Sequence, residues 1–503
     1  MGPTTDATEP DLHSQVRSGL GWSLLNSASG RMLNVALGIA LARILAPESF
    51  GLFAVATLVL TALQSMNELG VSVAVVRWPG ELGDVGRTAT TLAMASSAFW
   101  YGLAFALAPV LASSFHAPDA VFIIRLLSVG VLLDGFSSIP NALLTRSFRQ
   151  GRRAIADLVA FIPSAALSIG LTAAGYGAMG LAWGFLAGIF TSSVLVFSLA
   201  PQRPVPGWNS EHARRLLRDG IPLAMTSMVQ LAVFNVDYIV VGRVLGTTAL
   251  GYYVLAFNLS SWPSSLMSMS MRRIALPTFA KVAPDEARLH RTFVAGLLLV
   301  VSVVTLIALC LSVLGRPLID LLYGAKWDRS VEVLRWLVIL GAARVILDLM
   351  YDYLVALGRA GTLLIAQLSW LVALIITLPI AAHLGGIRGV GIGHVLVVSV
   401  VVLPLHLVAL RSAGVPLRRL SVAVTAPAIA TCVTAVVLVA TLHAQLAPIW
   451  QLVVSGGSAT LVYVACMAAS PSARSALAEW SRPAPVDLTA PGRSALSPVA
   501  EHS

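Results

Sequence analysis

Charged and amide side chains recur at helical spacing inside the apolar stretches of this chain, and their types define what they could do there. Ser23, Ser27, Arg31 and Asn34 fall within about 80° of one another at 100° per residue. Thr57, Thr61, Gln64 and Glu68 share a second face. Thr226, Gln230 and Asp237 share a third, and Asn258, Ser261, Ser265, Ser268 and Arg272 a fourth, with Arg273 adjoining. Asp134, Ser138, Asn141 and Thr145 form another stripe, and Arg344, Asp348 and Asp352 stand at i, i+4 and i+8. A charge at mid-bilayer costs roughly 2.5–3.5 kcal/mol on insertion scales, so it faces a bundle interior or a wet cavity. Arginines there suit an anion, amides and hydroxyls suit a polyhydroxylated group, and carboxylates suit a proton or sodium ion. Serines and threonines alone read first as interhelical hydrogen-bonding groups. Arg31, Asp134, Asp348 and Asp352 read instead as cavity residues, although Arg344 and Asp348 are placed to pair with each other. Arg43, Arg243 and Glu48 sit at helix ends, where snorkelling or capping accounts for them.

The elements that must carry these stripes are membrane helices. Of 503 residues, 57% are hydrophobic and 11% charged, against roughly 25% charged in a soluble protein, and mean hydropathy is +0.84. Apolar segments of the roughly 20 residues a bilayer requires fall near 19–43, 50–70, 88–113, 120–143, 155–174, 177–199, 219–243, 249–271, 291–314, 332–357, 361–383, 389–410, 419–442 and 449–469. The run from Leu20 is too long for a signal peptide and lacks a small-residue cleavage site. About two thirds of the 33 Lys and Arg then fall in loops on the side of the N-terminus, so both termini are expected in the cytoplasm. This bias accounts for the formal charge of +10 without a nucleic-acid partner. The outer loops are short and leave no room for an outer domain. The only lysines are Lys281 and Lys326, and neither closes a phosphate-binding G-x-x-x-x-G-K-[ST] loop. Cys310, Cys432 and Cys466 lie in apolar runs, and the nine histidines are scattered without metal-ligand spacing, so no cofactor or metal is expected.

The chain also repeats. Residues 39–56 resemble 239–256, with Ile39/Ile239, Arg43/Arg243, Leu45/Leu245, Gly51/Gly251 and Ala56/Ala256 identical at an offset of 200. Arg125/Arg335, Leu127/Leu337, Arg149/Arg359, Gly151/Gly361 and Ala156/Ala366 match at 210, and Gly177, Gly180 and Gly184 match Gly386, Gly389 and Gly393 at 209. Six spans followed by six like spans in the same orientation make a parallel repeat. The expected fold is an all-α polytopic membrane protein of about 14 helices. Its expected parts are a cytoplasmic segment (1–18), an N-lobe (19–200), a cytoplasmic linker (201–218), a C-lobe (219–413), two further helices (414–470) and a disordered cytoplasmic tail (471–503).

The stretch Gly21-Trp22-Ser23-Leu24-Leu25 through Leu41-Ala42-Arg43-Ile44-Leu45-Ala46-Pro47-Glu48-Ser49-Phe50-Gly51-Leu52-Phe53, with its echo Asn235-Val236-Asp237-Tyr238 through Gly251-Tyr252-Tyr253, resembles bacterial Wzx-type oligosaccharide flippases. These belong to the multidrug/oligosaccharidyl-lipid/polysaccharide exporter superfamily, and the resemblance covers about residues 1–470. It implies two six-helix lobes in a V around a central cavity, helices 1, 2, 7 and 8 at the lateral openings, and alternating access. It further implies a polyprenyl-diphosphate-linked oligosaccharide as substrate, with membrane lipids, a glycan polymerase and glycosyltransferases as partners. The related lipid II flippases carry cavity arginines on helices 1 and 8, where Arg31 and Arg272 or Arg273 stand here. On this resemblance the substrate-binding candidates are Arg31, Asn34, Gln64, Glu68, Gln230, Asn258, Arg272 and Arg273, and the ion-coupling candidates are Asp134, Asp237, Asp348 and Asp352. Two other functions fit parts of the pattern: a drug or cation antiporter of the same fold, and a membrane-embedded glycan polymerase or ligase, which the short outer loops disfavour.

Overall fold

The computed structural model describes residues 30–67, 70–79, 82–147, 149–202, 205–262, 279, 285–444 and 447–481. Among them there is no strand, and nine stretches are long and apolar enough to cross a membrane. The helices in chain order are α1 (30–44), α2 (Pro47–Asn67), α3 (Val71–Arg77), α4 (Gly83–Ser114), α5 (Ala120–Arg146), α6 (Gln150–Leu171), α7 (Gly177–Leu199), α8 (Ser210–Leu245), α9 (247–262), α10 (Glu286–Val313), α11 (Gly315–Leu322), α12 (Asp328–Ala356), α13 (Ala360–Val397), α14 (Leu403–Ser412), α15 (Leu417–Leu442), α16 (Pro448–Ala469) and α17 (Pro471–Ser481). Helices prevail because a bilayer offers no water to satisfy backbone polar groups, and a helix satisfies them within itself.

Two apolar stretches, Gln150–Leu199 and Gly361–Ser412, run to 50 and 52 residues, more than twice what one crossing needs. Each is broken at a glycine and folds back. Gly177 has φ 53 and ψ −129, and Gly386 has φ 56 and ψ −146, a region that a side chain disfavours. These two positions, 209 apart in the chain, hold the same unusual backbone at the same place in two hairpins.

Among the described residues, the contacts that join the first part of the chain to the second include one cluster toward each end of the bundle. At the first, the start of α2 crosses the start of α9. A Cβ on Gly51 would collide with the Thr247 carbonyl and lie 2.6 Å from its carbon, and a Cβ on Gly251 would collide with the Pro47 carbonyl, 2.7 Å from its carbon. The contact is reciprocal, since Pro47 and Thr247 are themselves 200 residues apart. Beside it, Arg43 donates to the Leu321 and Leu322 carbonyls, the latter at 2.9 Å, which caps the C-terminus of α11 where carbonyls lack intrahelical partners. Trp327 is fully buried, donates Nε1 to the Ala42 carbonyl at 2.9 Å and meets Phe50 edge-on with centroids 5.3 Å apart. At the opposite end the first turns of α8 lie on the loop after α3. Arg215 sits 4.4 Å above the Trp78 ring and His212 meets the same ring edge-on, while Arg146 of α5 holds that loop from within the first part of the chain by donating to the Val75 and Trp78 carbonyls at 3.1 and 2.7 Å.

One expectation needs correcting. The segment from Pro471 does not begin a disordered tail, because Pro471–Ser481 is helical. Ala473 and Ala476 are buried against Ala295, Leu298 and Ala423, so small side chains let α17 pack closely on α10 and α15 despite its polar composition. Residues 482–503 lie outside the described residues.

Candidate functional site

The stripe residues divide into exposed and buried sets. On α1, Arg31 and Asn34 are exposed, and Asn34 donates one amide hydrogen to the Gly30 carbonyl at 2.8 Å, which leaves its oxygen as an acceptor. On α2, Thr61 is exposed and Thr57 and Gln64 are half-buried. Thr57 and Thr61 give their hydrogens to the Phe53 and Thr57 carbonyls at 2.9 and 2.8 Å, so outward they present lone pairs. Gln230 on α8 and Asn258 on α9 are exposed, and Ser261 donates to Phe257 O at 2.7 Å. Glu68, Arg272 and Arg273 lie outside the described residues, as do Ser265 and Ser268. The exposed set thus spans four helices and combines one guanidinium with amides and acceptor hydroxyls, groups suited to an anion joined to a polyol.

Helical spacing places Asp237 with Gln230, yet the structure separates them. Asp237 is fully buried because α9, α12 and α13 close over that turn of α8. Its Oδ1 accepts the Tyr238 amide at 3.0 Å, and its Oδ2 accepts the Tyr253 hydroxyl at 2.8 Å. His394 of α13, also fully buried, brings Nε2 within 3.5 Å of Oδ2. Arg344 of α12 stacks its guanidinium 5.3 Å from the Phe234 centroid and 5.2 Å from that of Phe257, an arrangement that stabilises a cation away from water. Arg344 Nε and Nη2 and both ring nitrogens of His394 are buried without hydrogen-bond partners among the described residues.

The remaining carboxylates are engaged. Asp134 Oδ2 accepts from Asn67 Nδ2 at 3.1 Å, tying α5 to α2. Asp348 is half-buried and Asp352 buried, and both have partners. Arg125 turns onto α4, donating to the Phe105 carbonyl at 3.2 Å with its guanidinium 4.5 Å over the Phe105 ring, a helix-to-helix role. Sequence reading missed His394, Tyr253 and Asn67. A signal existed for His394: a lone imidazole in the apolar run Gly391-Ile392-Gly393-His394-Val395. No group of three or more potential metal ligands occurs among the described residues.

Comparison with known proteins places these features in context. A family described as polysaccharide biosynthesis protein matches residues 40–332. The chain is 23% identical over 376 residues to the succinoglycan biosynthesis transport protein ExoT of Rhizobium meliloti (strain 1021), covering 72% of each chain. It is 23% identical over 404 residues to the lipopolysaccharide biosynthesis protein WzxC of Escherichia coli (strain K12), covering 77% of this chain and 79% of that one. Among solved structures, the lipid II flippase MurJ in an inward closed conformation superposes with a TM-score of 0.73 at 15% identity, over 89% of this chain and 98% of MurJ. That likeness shows a shared fold.

Proposed function

The chain belongs to the polysaccharide biosynthesis protein family, and from that premise we propose that it moves a polyprenyl-diphosphate-linked oligosaccharide from the inner to the outer leaflet of a bacterial cytoplasmic membrane. The observation that carries this reading is a polysaccharide-family chain folded like a lipid II flippase along nearly its whole length. The names of its relatives, transport in succinoglycan biosynthesis and lipopolysaccharide biosynthesis, point to the same cargo class. The first of these names describes a transporter.

In this reading 14 spans form two six-helix lobes, with the last two helices outside them and both termini in the cytoplasm. The matched glycine breaks and the reciprocal Gly51/Gly251 contact support the two lobes. Arg31, with Arg272 or Arg273, binds the diphosphate, and Asn34, Gln64, Glu68, Gln230 and Asn258 hydrogen-bond the sugars. The lipid tail stays in the bilayer through the opening between spans 1 and 8 or 2 and 7. Moving one charge through 100 mV is worth about 2.3 kcal/mol, so outward passage of a dianionic head group from an inside-negative cell is favoured by about 5 kcal/mol. Asp134, Asp237, Asp348 and Asp352 are the candidates for coupling a proton or sodium ion. A glycan polymerase and glycosyltransferases are the expected partners.

Proteoliposomes holding the purified protein and a lipid-linked oligosaccharide test the reading. Sugar flipped to the exterior becomes sensitive to an added glycosidase that does not cross the bilayer. The expected result is cleavage beyond the half exposed at random, dependent on the protein. Cleavage that stays at one half overturns the proposal.

A further inference from the structure

We propose that a cavity between α10, α15 and α17 binds one anionic phospholipid of the surrounding bilayer, its phosphate on arginines and an acyl chain along an apolar wall. The cavity has a volume of about 660 Å³, within the roughly 300–1,000 Å³ range of small-molecule sites. Arg291 of α10, Arg418 and Arg419 of α15, and Ser472 and Ser475 of α17 line it. So do Val294 and Leu298 of α10 and Val422 of α15. Arg291 precedes Leu298 by seven positions and Arg418 precedes Val422 by four. In each helix the cation therefore comes first, and the apolar side chain lies about 6–10 Å further along the axis. The two helices run parallel, since Leu298 clusters with Ala423 and, further on, Leu314 with Leu438. Their polarity gradients thus point the same way, as the head and tail of one amphiphile require.

Positive charge gathers at the polar end. Arg418 and Arg419 stand in the first turn of α15, which has no acidic residue and no side-chain cap. Unpaired amide hydrogens make that turn the positive end of the helix dipole, where cations are disfavoured and anions are stabilised. Neither guanidinium has an ion pair or a hydrogen bond among the described residues. The first turn of α17 has no acidic residue either. A phosphate meets guanidinium geometry with paired N–H···O bonds, and basic pockets between membrane helices take anionic lipid head groups in this way. The apolar wall favours an amphiphile over a free ion. None of the described substrate-binding candidates lines the cavity, so the occupant is bulk lipid rather than cargo. Ala473 and Ala476 already pack α17 on α10 and α15, and a lipid seated between the three helices ties them a second time.

The full-length chain, purified in detergent and stripped of lipid, is titrated with dioleoylphosphatidylglycerol while bound lipid is counted by native mass spectrometry. Dioleoylphosphatidylcholine, inorganic phosphate and farnesyl diphosphate are the comparison probes. Phosphatidylglycerol is expected to bind at least about tenfold more tightly than phosphatidylcholine, the gain of a charge-assisted contact. Equal concentrations of inorganic phosphate or farnesyl diphosphate leave it in place. Joint Arg418→Ala and Arg419→Ala substitution weakens the binding about tenfold or more. Val422→Trp, which fills the apolar part from an exposed position, weakens it as well. Joint Arg411→Ala and Arg474→Ala substitution removes the same charge from exposed positions off the cavity and leaves the affinity unchanged. Equal affinity for the two phospholipids, binding retained without Arg418 and Arg419, or an equal loss without Arg411 and Arg474 overturns the proposal. Displacement by inorganic phosphate or by farnesyl diphosphate also overturns it, by showing a free-anion or a prenyl diphosphate site. If the Arg418 and Arg419 variant fails to fold, the phospholipid ranking and Val422→Trp decide. No oligosaccharide enters the measurement, so failure here is separable from failure of the flippase reading.

Discussion

Replacing Gly251 by alanine isolates the crossing of α2 and α9. The added methyl meets the Pro47 carbonyl, with its carbon 2.7 Å from the carbonyl carbon and 3.2 Å from Gly51 N. Carbon atoms rest at about 3.5–4.0 Å, so the helices must part by roughly 1 Å. Overpacking of this kind costs about 1–3 kcal/mol. The gain in helix propensity from glycine to alanine, about 1 kcal/mol, applies whether or not the helices meet and so cancels. The net cost therefore falls on the closed arrangement alone and shifts its population by about 5- to 150-fold. Maleimide labelling of the buried position Ala42→Cys, in a chain whose Cys310, Cys432 and Cys466 are replaced by Ala and relative to the exposed Ala325→Cys, is expected to rise by that factor or until opening saturates. Gly457→Ala on α16 is the control, since a Cβ there meets nothing within 4 Å, and it should leave labelling unchanged. If Gly251→Ala folds normally and Ala42→Cys stays as protected as in the parent, the crossing does not hold this end shut.

Other substitutions probe the remaining contacts. Trp327→Phe keeps most of the buried ring but loses the hydrogen bond to the Ala42 carbonyl, a loss of about 0.5–1.5 kcal/mol that should raise Ala42→Cys labelling about two- to tenfold. Asn67→Leu deprives Asp134 Oδ2 of its amide donor and should cost about 1–3 kcal/mol, read as a lower thermal midpoint in detergent, with Asp134→Asn costing less. Arg31→Ala should reduce glycan export about tenfold or more if it contributes the roughly 1.5–3 kcal/mol of a charge-assisted contact. Unchanged export in that variant would remove Arg31 from the binding site.

The helical architecture was readable because length and apolar run set membrane helices almost without regard to tertiary context. The glycine matches at offsets of 200 and 209 read in the sequence as a repeat, and only the structure shows that they mark the crossing and the hairpin breaks, where a close approach or a positive φ restricts residue choice. Burial was not readable in the same way. The helical wheel puts Asp237 beside Gln230, but whether that face meets water or protein depends on α13, which brings His394 from 157 positions along the chain. Arg43 likewise reads locally as a helix-end arginine, whereas its partners are the carbonyls of α11. The segment Pro471–Ser481 reads as disordered by composition because α17 gains its order from packing on α10 and α15.

The central claim, movement of a lipid-linked oligosaccharide between leaflets, is tested most directly in cells lacking this gene by asking on which side of the cytoplasmic membrane that lipid accumulates. The account predicts complete units trapped on the inner leaflet and released to the outer one when the intact gene is restored. Unpolymerised units accumulating on the outer leaflet, or glycan and lipid pools unchanged by the deletion, would contradict it.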